Sequence, residues 1–564
     1  MGGGRGAGVD ADRGVNDLTI IEDIARWSAG LSIEEIPPRV VEIARSQVLS
    51  VLGAIHAGAG CAGGQSVVKT VEGMGVTGPC GTYPGGKGSL LFPAILQNAS
   101  LSMALDYDDY LFLGHTGHSA VCVPMAVGET LGADTETLIT AQIAANEIEG
   151  RLGGTVVLGP HNGQMWAHIH LLGAAAAASR VLGLDEEKTA NAMGIALAEP
   201  VFSLFPGFMG PQSKLLIASV PSITGTTAAF LAANGMTGAR NILEDPQGFW
   251  AHFSFMPLPF MMTGLGRAWV TDTIAFKPYP GCAYIDTAMD ALFDIMERFE
   301  KQLGRPIDPA EVADVKVEAS LLTIAMNGMS AGYMDPSKLS PTNINFSLPV
   351  SIALGIIAGK LTGAELTDPF LDENRREIVA LAGRVELAHS ASLSVRFIKA
   401  IDEVTDLEAM LAELDAVSLF KARHKLREHL KRVATMGPRE MVGAWQSLNQ
   451  PEKMLLKSLV SLRGFFGKGP GYDLGQSRLE DLRMPFGARV HVTLRDGTML
   501  EAEKHIPRGG PGDPDRLQVA AEKFVREASP VLGEERAKKA VEVVGSYEKH
   551  SLAEIREALS PAGA

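Results

Sequence analysis

Cysteine is scarce in this chain, with only Cys61, Cys80, Cys122 and Cys282 among 564 residues. None is spaced as CxxC, so neither a disulfide framework nor a structural zinc site is expected, and a reducing cytoplasm is the expected compartment. The glycine-rich start does not read as a secretory leader. Positive charge is also in deficit: 50 Lys and Arg stand against 65 Asp and Glu, a formal net charge of -15. That balance argues against nucleic acid or an anionic membrane as a partner. The apolar runs LLGAAAAAS from Leu171 and LLIASVPSITGTTAAFLAANG from Leu215 are interrupted by Ser, Thr, Pro and Asn. They read as closely packed helices of a soluble protein rather than membrane spans. No GxxxxGK[ST] phosphate loop or GxSxG elbow stands out, and GGGRGAG at the terminus follows no strand. The chain therefore reads as an acid–base enzyme without a cofactor rather than a redox or nucleotide enzyme.

Small residues are abundant, with 62 glycines and only 6% aromatics, which predicts helices brought close together. The length exceeds one ordinary core, and two domains are expected. Residues 1–16 carry no apolar period and read as a disordered tail. Residues 17–271 read as helix after helix: Ile20, Ile24, Trp27 and Leu31 form one stripe, and Val40, Ile43, Ala44, Val48 and Leu52 another, with Pro37 and Pro38 between them. In 272–510 the pattern changes. Val312–Ala319 alternates like a half-buried strand, Ala488–Leu494 does the same, and Asp496-Gly497 offers a hairpin turn. Within it, about 405–480 is an extra charged helical segment containing KARHKLREHLKR, read as a solvated amphipathic face. From 511 to 564 the helical period returns. The expected fold is mainly α: a large discontinuous all-helical domain with a smaller α+β lid domain inserted.

The densest polar cluster, ALDYDDYLFLGHTGHSAVCVP, holds Asp106, Asp108, Asp109, His115 and His118. Carboxylates and imidazoles among apolar helices are costly unless they pair, bind a ligand or line a cavity. HTGH places its rings three apart, although Gly117 favours a loop. A metal site and a capped helix end with exposed histidines are the competing readings, but no HExxH pattern supports the metal and none is expected. His161, His168 and His170 precede the Ala-rich helix, with the last two on different sides of it. Lys214 leads an uncharged segment, where it either snorkels to water or receives a carboxylate. Lys277, Tyr279, Cys282, Tyr284 and Asp286 lie at the expected domain junction, a favoured place for a cleft. Lys277 suits an anion, the tyrosines could give a proton, and Cys282 has no base beside it. Tyr333, Lys338, Asn345 and Ser347 belong to a loop that could serve as a lid.

Taken in order, DYDDYLFLGHTGHSAVCVP, LLGAAAAASRVLGLD, the Lys214 segment, FKPYPGC, NINFSLPVSIALGIIAGKLTG, the DG hairpin and GGPGDP resemble the MmgE/PrpD family. That family includes 2-methylcitrate dehydratase, cis-aconitate decarboxylase and iminodisuccinate epimerase. The resemblance implies a helical domain with an α+β lid, a homodimer, no cofactor and a small carboxylate substrate. It matches the family's acidic motif to Asp106 with Asp108 and Asp109, its following histidine to His115 or His118, and its carboxylate-binding lysine to Lys214. Gln164 stands where a family histidine precedes the Ala-rich helix, with His168 a turn later, and Asp286 replaces a histidine after the cysteine position. The implied roles are carboxylate binding by Lys214 and Lys277, proton transfer by His115 or His118 oriented by Asp106, and a second acid–base group in His168 or Tyr333. Asp109, Gln164 and Asp286 complete the expected substrate-binding set. Dehydration or hydration is the leading expectation, with decarboxylation, epimerisation or a silent binding member as alternatives.

Overall fold

Capping chemistry written in the sequence starts the helices. Thr19 and Glu22 form a reciprocal capping box at Ile20–Gly30, Pro38 opens Pro38–Gly58, and Asp134 and Asp185 accept backbone N–H groups at Thr135–Thr155 and Glu186–Ala196. The computed structural model describes residues 18–111, 113–160, 165–414, 420, 422–425, 427, 438–460 and 471–562. The expected N-terminal tail and most of the basic run at 421–432 lie outside these residues, as do His161 and Gln164.

The molecule is mainly α. Helices Pro38–Gly58, Leu91–Met103, Thr135–Thr155, Ile169–Val181 and Leu216–Ala233 pack with Arg516–Leu532 and Glu534–Gly545 through one extensive apolar core. That core joins Val48, Leu52, Ala145 and Ala175 to Phe524 and Val544, so the C-terminal helices return to the N-terminal ones. Ala and Gly permit the close approach: a Cβ on Gly225 would lie 2.3 Å from the Leu171 carbonyl oxygen. Among the described residues two helical stretches, Pro38–Gly58 and Gln212–Ala233, are long and apolar enough to span a bilayer. The first is almost wholly buried. The second buries one side and exposes Leu216, Val220 and Leu231 on the other, flanked by exposed Phe202, Leu204 and Met236.

Strands are few. β1 (Cys80–Thr82) and β2 (Lys87–Ser89) form a small hairpin, and β3 (Asp109–Tyr110) pairs antiparallel with β4 (Ala275–Phe276). A four-stranded sheet of order β6-β5-β7-β8 contains β5 (Val312–Ala319), β6 (Val385–His389), β7 (Ala488–Leu494) and β8 (Met499–Lys504). β5 lies parallel to β6 and antiparallel to β7. The turn between β7 and β8 carries Gly497 at φ 90°, a conformation that needs glycine. Val315, Val317, Val490 and Val492 meet helices Asp286–Leu303 and Leu348–Ala358 in a second core. β6 escapes the sequence pattern because VELAH is mostly half-buried and carries no clean alternation.

Gly225→Ala is expected to lower unfolding stability by about 1–3 kcal/mol through overpacking. Urea denaturation measures this, and an unchanged midpoint would contradict the close helix crossing.

Candidate active site

The short β3–β4 ladder builds the site. Asp109 pairs with Phe276 and Tyr110 with Ala275, so antiparallel register sets Asp108 opposite Lys277. Lys277 Nζ donates to Asp108 Oδ1 at 2.6 Å and to the Asp106 carbonyl at 2.7 Å. Asp106 is the one non-glycine residue among those described with a left-handed backbone, at φ 47°. This sharp bend turns its carbonyl to Lys277 while its carboxylate accepts from Lys214 Nζ. Lys214 stands on the short turn Gln212–Leu215, its ammonium 4.4 Å from the ring centroid of Phe346 and 5.3 Å from that of Phe208.

Asp108 is the hub. Its Oδ2 accepts from His115 Nδ1 at 2.7 Å and lies 3.2 Å from His118 Nε2. Burial alone would raise the Asp108 carboxyl, but Lys277 and the two imidazoles hold it well below the ordinary carboxylate range. Burial likewise works against the Lys277 ammonium, and Asp108 with Asp106 outweighs it. Lys214 is shifted the other way: burial lowers it and Asp106 only partly compensates.

The two histidines separate by exposure. His118 is wholly buried on the helical turn Gly117–Ala120, its Nδ1 2.7 Å from Ser102 Oγ. His115 precedes that turn and keeps 17% of its side chain exposed, between Tyr110 and Trp166. HTGH is thus half loop and half helix, whereas the sequence favours a loop. Gly117 is required because a Cβ there would sit 2.0 Å from Asp109 Oδ1.

Other expected residues lie elsewhere. Asp109 is fully buried and its Oδ2 accepts from Gln47 Nε2 at 2.8 Å, on the opposite side of the strand from Asp108, because successive residues alternate. It therefore supports the loop instead of facing the lysines. His168 is wedged edge-on against Phe249 and Phe253, both at 5.0 Å, and burial pushes it down to about 3. The ring packs between two phenyls with its Nε2 buried and unpaired, and no hydrogen bond or ion pair among the described residues ties it to Asp108 or the lysines, in contrast to the acid–base role that the resemblance implies. Tyr333 is 37% exposed, with backbone bonds to Ser330 and Asn343, and is not brought to the ion pairs. The Tyr279 and Tyr284 hydroxyls are engaged by Asp290 and the Phe346 carbonyl. Burial raises the Cys282 thiol to about 12, which removes the thiolate. Asp286 is buried with Oδ1 unpaired, and burial holds it well above the carboxylate range despite Lys277. The Tyr110 hydroxyl is also buried without a partner. Unpaired buried polar atoms in a native site mark a place where a ligand can complete the hydrogen bonding.

Behind His118, Ser119 Oγ donates to Glu149 Oε1 at 2.6 Å and lies 2.7 Å from His170 Nδ1. Burial raises Glu149 and lowers His170, so both are held toward their neutral forms. Among the described residues no group of three or more His, Cys, Asp or Glu is arranged to hold a metal ion. Lys277 instead fills the position beside Asp108.

Residues 22–258 match the MmgE/PrpD N-terminal domain and residues 279–433 the MmgE/PrpD C-terminal domain. A cis-aconitate decarboxylase of Aspergillus terreus (strain NIH 2624 / FGSC A1156) is 23% identical over 393 residues, covering 66% of this chain and 78% of the relative. A cis-aconitate decarboxylase of Homo sapiens is 24% identical over 277 residues, covering 46% and 56%.

Asp108→Asn would leave the buried Lys277 ammonium without its counter-ion and is expected to cost about 3–5 kcal/mol of stability. In the Asp108→Asn/Lys277→Met double variant much of that loss should return. Equilibrium unfolding of the set decides it: equal stability of single and double variants would deny the pairing.

Proposed function

The chain belongs to the MmgE/PrpD family, and on that premise we propose that it is a cofactor-independent lyase that moves a proton beside a carboxylate of a small di- or tricarboxylic acid. The observation that carries the reading is two buried lysine–carboxylate pairs joined through Lys277, which donates to the Asp106 carbonyl, with Asp108 of the second pair holding an imidazole, His115, that remains partly open to solvent. In this reading Lys214 exchanges Asp106 for a substrate carboxylate. Lys277 keeps Asp108 ionised, Asp108 fixes His115 through Nδ1, and Nε2 of the same ring carries the proton. The lysines oppose the negative charge that develops as the C–H bond breaks.

Hydration or dehydration is the proposed reaction. His115 takes the proton from carbon, the C–O bond breaks, and the leaving hydroxyl takes a proton from Asp286, whose carboxyl burial pushes well above the ordinary carboxylate range. Decarboxylation is the second reading, favoured by the names of the relatives. There the C–C bond breaks first, carbon dioxide leaves, and protonated His115 supplies the proton to the carbanion. Region 272–510 is proposed as the lid: Lys277, Cys282 and Phe346 come from it, whereas Asp106, His115 and Lys214 come from the helical part.

We also propose a homodimer formed through the uncharged outer face of Leu216–Ala233. Two copies of net charge -15 repel over most of their surface. A face presenting Leu216, Val220 and Leu231 without charge gives them a place of apolar contact.

Proton NMR in deuterated buffer, with citrate, 2-methylcitrate, cis-aconitate and related acids, should show alkene formation or hydration. Carbon dioxide release would select the second reading. Lys214→Ala and His115→Gln should each lower kcat/KM by about 100-fold or more. Unchanged turnover in Lys214→Ala would remove the centre of the proposal. In analytical ultracentrifugation the native chain should sediment as a dimer and Val220→Asp as a monomer, and a native monomer would refute the dimer.

A further inference from the structure

The last long helix, Arg516–Leu532, lies beyond both stretches that match the family domains. It nevertheless reaches the acidic loop with two cations. Lys523 is 1% exposed, and its Nζ donates to Ser50 Oγ at 2.8 Å and to the main-chain carbonyl of Tyr107. The ammonium also stands 4.6 Å from the Tyr107 ring centroid. One helical turn on, Arg526 Nη2 donates to the Tyr107 hydroxyl and, at 3.1 Å, to the Pro278 carbonyl, which the Tyr107 hydroxyl itself reaches at 2.8 Å.

Tyr107 joins the two residues that matter most. Asp106 before it bends the chain into the left-handed region, and Asp108 after it holds Lys277 and both imidazoles. The β3 ladder begins only at Asp109, so the Tyr107 carbonyl takes its donor from Lys523. Pro278 follows Lys277 directly, so Arg526 grips the other strand of the ion-pair ladder as well. A buried ammonium with no carboxylate in direct contact among the described residues is costly, and an apolar side chain of similar length would fill the space without that cost. Burial accordingly lowers Lys523 to about 7, with Asp108 and Asp109 opposing.

We propose that Lys523 and Arg526 are positioning residues of the active site, setting through Tyr107 the placement of Asp106 and Asp108 and hence the orientation of His115. The inference rests on the acid–base reading above for its effect on turnover, but its structural part is tested without any substrate.

The His115 imidazole is followed by NMR titration in the full-length native protein, Lys523→Met and Lys523→Arg, alongside kcat on whichever acid reacts. Asp108, Lys277, His118, Tyr110 and Trp166 surround or hold that imidazole. Displacing Asp108 should therefore move its midpoint by ~0.5 pH or more in Lys523→Met and lower kcat about tenfold or more. Lys523→Arg, which can still donate to the Tyr107 carbonyl, should restore most of both. An unmoved midpoint in folded Lys523→Met overturns the inference whatever happens to kcat. If Lys523→Met does not fold, Tyr107→Phe takes its place, since it removes only the hydroxyl gripped by Arg526. A moved midpoint then supports the inference and an unmoved one overturns it. If no acid reacts, the lyase reading fails while the titration still decides the positioning role.

Discussion

Everything in this molecule that bears on chemistry depends on keeping four opposite charges together in a dry interior. Lys214 with Asp106 and Lys277 with Asp108 form a set that is neutral as a whole, although any member alone would be expensive to bury. Neutrality places a geometric demand on the chain. Both carboxylates come from one tripeptide, the lysines come from segments far apart in sequence, and a regular strand would send side chains two residues apart to the same face and so toward one partner. The left-handed bend at Asp106 resolves the conflict by redirecting one carboxylate and one carbonyl. The polar network behind Asp109 and the cations gripping Tyr107 hold that bend against its own strain.

Much of the fold is legible in the sequence because the relevant signals are local. The Thr19–Glu22 box, Pro38, the alternation of Val312–Ala319 and the Asp496-Gly497 turn each act within a few residues. The cluster at 106–118, Lys214 and Lys277 also stand out, since charge amid apolar helices has to be compensated somewhere. What the sequence does not show is who compensates whom. Asp106, Asp108 and Asp109 look alike in a string, and only the two-residue ladder with β4 tells the hub from the support. His168 and His115 differ by their neighbours in space, two phenyl rings in one case and a carboxylate in the other. Lys523 gives no signal at all, because a lysine in an amphipathic C-terminal helix reads as a solvated residue.

Substitution of the expected histidines by Gln164 and Asp286 has an electrostatic side. Gln164 lies outside the described residues, but Asp286 is buried, and burial pushes its carboxyl well above the ordinary carboxylate range with Lys277 opposing. A protonated carboxylic acid can give a proton as an imidazolium can, and it does so without adding positive charge to a cluster that is already balanced. Under the proposed reaction the proton inventory of the site would differ from one built on the expected histidines, while the ion-pair frame is independent of that difference.

If Lys214 trades Asp106 for a substrate carboxylate as proposed, their pairing also has a consequence for selectivity. Because Asp106 is tethered on the same chain, it acts as a built-in competitor at very high effective concentration. An external carboxylate gains only the difference between its own fit and that of the resident one. A simple monocarboxylate offers little beyond what Asp106 already provides and is excluded by displacement. An acid that carries further polar groups to the unpaired Tyr110 hydroxyl and Asp286 oxygen can tip the exchange. The site is in this sense self-ligated, and under the proposed exchange its resident carboxylate sets an admission threshold for an incoming acid.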